Sequence, residues 1–123
     1  MSMRIAVSTF LLAAIFGAAP LRAHHSYASF DREHPVSIEG TLEKVQFVNP
    51  HVSLTLRTSE AVTYHVEWGT TATLLKGGVN PDSLKAGDHI VVSGAPKRDP
   101  ADRTVSLVSE VRRPADGWAW TPR

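Results

Sequence analysis

The pattern that most constrains this chain is a period-two alternation of apolar and polar residues that slips by one step partway along. Val36, Ile38, Gly40 and Leu42 alternate with polar neighbours, and after Glu43-Lys44 the alternation resumes out of phase at Val45 and Phe47. Strict alternation describes a half-buried strand, because successive side chains point to opposite faces. A phase slip beside a strand glycine predicts a β-bulge, so the first strand is long and bent. Asn49-Pro50 ends it as a turn.

Four more strands follow by the same reasoning. Residues 51–58 carry Val52, Leu54 and Leu56 on one face, and residues 62–68 carry Val62, Tyr64, Val66 and Trp68. Thr70 can cap a short helix that runs to Lys76, where Gly77-Gly78 stops it. Strands at 89–94 and 104–111 complete the series, separated by a loop rich in Pro, Asp and Arg. Three strands, a short helix and two strands fit an all-β, five-stranded barrel of the oligonucleotide/oligosaccharide-binding (OB) type over residues 36–113. An open antiparallel sheet covered by one helix is the alternative. Residues 24–35 read as an extended arm, and residues 114–123 as a tail without clear period.

Register parity sharpens the second hairpin. The two apolar sets at even positions must share a face, so even positions pair with even ones and the loop must have odd length. A three-residue loop at Thr58-Ser59-Glu60 would pair Ser53 with His65 and His51 with Glu67. The outer face of the hairpin would then carry His51, Ser53, His65 and Glu67 as neighbours, with His51 and His65 on a diagonal.

The start of the chain has a different character. One arginine in the first four residues precedes a charge-free apolar run at residues 5–19, then Pro20 and Leu21-Arg22-Ala23. That order describes a secretory signal peptide over residues 1–23, cleaved after Ala23. The run is about 15 residues, short of the roughly 20 needed to span a bilayer. The expected product is periplasmic or secreted, with no membrane span. Losing Arg4 and Arg22 leaves 11 basic side chains against 12 acidic ones, scattered along the chain, so no nucleic-acid partner is indicated. The absence of cysteine excludes disulfides and thiolate metal sites.

Cleavage at Ala23 would expose His24-His25 as a new N-terminus. The amine and Nδ1 of His24 can chelate one metal ion, and His25 adds a third nitrogen. Nitrogen-rich sites of this kind favour copper, which heads the divalent affinity order. His51 is the expected partner from the fold, with His65 and Glu67 as further ligands or as groups that orient His51. His34 and His89 read as surface residues. Metal binding or delivery, more than catalysis, is the expected role; no catalytic triad, phosphate loop or substrate cleft is legible. The competing expectation is a metal-free binding module for an envelope oligosaccharide, peptide or protein partner. Trp68, Trp118 and Trp120 would then matter more than the histidines.

With His24-His25-Ser26, Asn49-Pro50-His51, Glu67, Leu74-Leu75-Lys76 and the segment from Gly87-Asp88 to Pro96 in place, the chain resembles domain-of-unknown-function family 6152. Its members are small exported bacterial proteins. The usual phenylalanine of the first motif is Tyr27 here, and Val79 stands where a tryptophan is common. The resemblance implies export and an OB-like barrel, without an established reaction. Its two most recognisable motifs contain His24, His25 and His51.

Overall fold

The computed structural model describes residues 27–123; the leader and the expected ligands His24 and His25 lie outside the described residues. Six strands form one sheet: β1 (Val36–Gln46), β2 (Ser53–Arg57), β3 (Thr63–Glu67), β4 (His89–Pro96), β5 (Thr104–Arg113) and β6 (Trp118–Trp120). One helix, α1 (Thr71–Lys76), stands between β3 and β4. The first five strands close into a barrel in the cyclic order β1-β2-β3-β5-β4. All neighbours are antiparallel except β3 and β5, whose parallel seam is two residue pairs, His65 with Thr104 and Val66 with Val105. The expected OB-type barrel with a helix after the third strand is the architecture observed.

The sequence phase slip is the bulge. Leu42 pairs with Leu56 and Lys44 with Thr55, so Glu43 is the extra residue in β1. On its N-terminal half β1 pairs with β4, Val36 facing Gly94, and on its C-terminal half with β2. Gly40 sits at the handover. A Cβ there would lie 2.5 Å from the Arg57 carbonyl oxygen, so only glycine permits the two backbones to approach. Gly94 does the same where β4 crosses β5: a Cβ would lie 2.7 Å from the Ser106 carbonyl oxygen. There β5 bulges as well, since Ser93 pairs with Glu110 but Ala95 with Ser106. Leu107, inside that bulge, takes φ 49°, a left-handed conformation that a leucine adopts only under strain.

Leu42, Leu54, Leu56, Val66, Ile90, Val92 and Val111 fill the barrel, each between 0 and 1% exposed. Leu74 from α1, with Val79 and Leu84, joins the same cluster. Thr70 caps α1 as expected, its hydroxyl accepting from the Thr73 N–H at 3.1 Å.

The hairpin register differs from expectation by two residues. The loop is odd, as parity requires, but it is Ser59-Glu60-Ala61. Ser53 therefore pairs with Glu67 and Thr55 with His65. Thr58 extends β2 by one step: its N–H donates to the Val62 carbonyl at 2.9 Å, and its hydroxyl accepts from the Val62 N–H at 3.2 Å. Ala61 supplies the left-handed residue of the turn at φ 62°. The diagonal between His51 and His65 does not form. His65 lies opposite Thr55, four residues from His51, or roughly 13 Å along a strand.

Both ends of the described chain are more ordered than their lack of period suggested. In the arm, Tyr27–Ser29 forms a 3-10 turn and Phe30 is 4% exposed, bridged to Lys97. The Asp31 N–H donates to the Pro96 carbonyl at 2.8 Å and the Arg98 N–H to the Ser29 carbonyl at 2.9 Å. Lys97 Nζ sits 4.2 Å from the Phe30 ring centre. In the tail, a turn through Asp116-Gly117 returns the chain as β6 against β5, Val111 facing Trp120.

Candidate functional site

Two features bear on function, and they meet at Gly69. The first is the turn that presents His51. Asn49 Oδ1 accepts from the Thr71 N–H at 3.2 Å and from the Thr71 hydroxyl at 2.9 Å, which ties the turn after β1 to the first residue of α1. The peptide bond between Asn49 and Pro50 is cis. After His51, Val52 is held twice. Its N–H donates to the Gly69 carbonyl and its carbonyl accepts the Trp68 N–H, both at 2.8 Å. His51 is half-buried at this corner. Glu67 opposes Ser53, two residues beyond His51. Ser53 donates in turn to Gln46 Oε1 at 3.3 Å.

Of the five residues expected to hold a metal, the fold sets Glu67 opposite Ser53, two residues along the chain from His51. It leaves His65 exposed farther along β3. His24 and His25 fall outside the described residues. No cluster of three His, Asp or Glu side chains suited to a metal ion occurs among the described residues. His89 and His34 are surface residues paired elsewhere: His89 Nε2 lies 2.8 Å from Glu39 Oε1, and His34 Nδ1 lies 2.9 Å from Asp31 Oδ2. The His34 contact, with backbone N–H groups of Glu33 and His34, holds the Asp31 carboxyl below its ordinary range.

The second feature is a pocket that sequence reasoning missed. It has a volume of about 460 Å³ and opens between the arm, the end of β3, α1, the β5 bulge and β6. Trp68, Trp120 and Tyr27 supply aromatic walls, and Leu107 and Val108 aliphatic ones. Trp68 and Trp120 meet edge to face, ring centres 5.1 Å apart and planes at 85°. Trp68 is 6% exposed, and its indole N–H has no hydrogen-bond partner among the described residues. The available signal was Asp116-Gly117 followed by Trp118-Ala119-Trp120, a hairpin turn and an alternating strand. Such a short strand is easily passed over as tail.

A third cluster is structural. Arg113 Nη1 donates to Asp88 Oδ2 at 2.8 Å and to the Ser83 carbonyl at 3.0 Å, while Nε and Nη2 engage Asp116. Asp88 is held below the ordinary carboxylate range by the Lys85 N–H first and by Arg113 after it. For Asp116, Arg113 is the leading cause. This network fixes the loop before β4 to the β5–β6 turn.

A model of the family described as "Family of unknown function (DUF6152)" matches residues 12–106, and the chain belongs to that family. No curated protein matches it.

Proposed function

We propose that this member of the family is an exported β-barrel that binds a transition metal, copper above others, through its mature N-terminus. His24 would supply its amine and imidazole, His25 a further nitrogen, and His51 a ligand from the barrel. Glu67, opposite Ser53 in the hairpin register, would supply a carboxylate, and His65 is the more remote candidate. The observation that carries the reading is the docking of the arm. Phe30 is buried and Asp31 is bonded to Pro96, so the chain is tied down from five residues beyond His25. Tyr27 lines the same pocket as Gly69, and the Gly69 carbonyl holds Val52, the neighbour of His51. Three steps of chain separate His24 from Tyr27, a span of about 10 Å at most when extended.

The reading also requires export and removal of residues 1–23. No helix among the described residues is long and apolar enough to cross a membrane. Mass spectrometry of the protein recovered from its host would read the N-terminus directly. The deciding experiment titrates Cu(II), with Zn(II) and Ni(II) for comparison, into protein that begins at His24. Adding a methionine before His24, or substituting His51→Ala, is expected to weaken copper binding at least roughly tenfold. Equal affinity in parent and both variants would overturn the proposal.

A further inference from the structure

We propose that the pocket beside α1 binds a small aromatic carboxylate. Its volume of about 460 Å³ falls within the range of small-molecule sites, roughly 300–1,000 Å³. The walls converge from separate parts of the chain: Trp68 at the end of β3, Trp120 in β6, Tyr27 in the arm, and Leu107 in the β5 bulge. A planar ring is the apolar body such walls accept best, through stacked or edge-to-face contact.

Charge selects the polar end. Lys76 and Arg123 line the pocket and no Asp or Glu does, in a chain whose acidic and basic residues are nearly equal in number. Neither cation takes part in an ion pair among the described residues, whereas Arg57, Arg98 and Arg113 each do. An apolar slot edged by two cationic side chains that form no ion pair among the described residues favours a ligand with one anionic group, which a guanidinium or ammonium engages by charge-assisted hydrogen bonds. Leu107 adds a further sign of a built wall. It is held at φ 49° inside a bulge, and residues in sparsely populated backbone regions cluster at binding sites.

The proposal is independent of the metal reading, and its test is run with a chelator present, so either can fail alone. Calorimetry on the purified chain would compare 2-naphthoate with uncharged 2-naphthamide, which has the same shape. Saturable one-to-one binding of the acid is expected, with a dissociation constant on the order of 100 µM. The amide should bind roughly fivefold more weakly, the scale of a partly solvated charge contact. Trp120→Ala should weaken both ligands together. The double substitution Lys76→Gln/Arg123→Gln touches only exposed side chains and should erase the preference while leaving the melting temperature unchanged. Absence of saturable binding would overturn the proposal. So would equal binding of acid and amide, or a double variant that keeps the full preference.

Discussion

The barrel interior and the pocket end are made by the same sheet, yet they are built on opposite terms. Inside, Leu42, Leu56, Val66 and Ile90 are each 0% exposed, and the side chains come from strands in regular alternation. At the pocket, Trp120 and Leu107 are only half-buried. The residues there arrive from a bulge, a three-residue strand, a helix end and the arm. Regular alternation produces a face that can be closed by a like face. Irregular segments leave gaps that only an aromatic or a ligand fills. The contrast predicts a ranked set of effects.

The largest separates interior from pocket by size against enclosure. Leu56→Ala removes a fully enclosed side chain and should cost about 3 kcal/mol in denaturant unfolding. Trp120→Ala removes more atoms but from a partly open wall, and should cost less, roughly 1–2 kcal/mol including its contact with Trp68. Equal costs would mean that the pocket end is packed as tightly as the core.

Next comes the network that joins the two regions at the β5–β6 turn. Arg113→Met should lower stability on the order of 1 kcal/mol at neutral pH. It should also flatten the acid limb. Asp88 and Asp116 are both held below the ordinary carboxylate range when folded, so they bind fewer protons in the native state than in the unfolded one. Their contribution is present above the ordinary carboxylate range and is lost progressively as pH falls through that range and the lower folded values. The variant should lose less stability across that window than the parent, as thermal melts at pH 5 and below would read. An unchanged acid limb would remove Arg113 from the account.

The smallest effect tests the pocket wall. Leu107→Gly and Leu107→Ala both discard the side chain, but only glycine is at ease at φ 49°. The glycine variant should be more stable than the alanine variant by about 1 kcal/mol. The reverse order would show that Leu107 is unstrained.

How much of this was legible in the sequence follows the same division. Alternation and its slip located the strands, the β1 bulge at Glu43 and the odd hairpin loop. Thr70 and the two glycines located α1. Parity, however, fixes register only modulo two. The side-chain bond from Thr58 to Val62 chose the longer β2, and with it separated His51 from His65. Two walls of the pocket, Trp68 and Trp120, stood out in the sequence as binding-module aromatics, but its shape did not, because it depends on tertiary returns of the arm and tail. Phe30 carries no periodic partner, and Trp118-Ala119-Trp120 is too short to announce a strand.

The closure of the barrel has one further consequence. The ring of strands is continuous only because β3 meets β5, and that seam is two residue pairs wide, including the bond from the His65 N–H to the Arg103 carbonyl. A cylinder opens where its join is shortest. Amide hydrogens of His65 and the start of β5 should therefore exchange with solvent well before those of β1 and β4, which share a six-pair ladder. Each such opening would unroll the barrel toward a curved sheet and bring Val66 and Val105, both 0% exposed when the seam is shut, briefly into water.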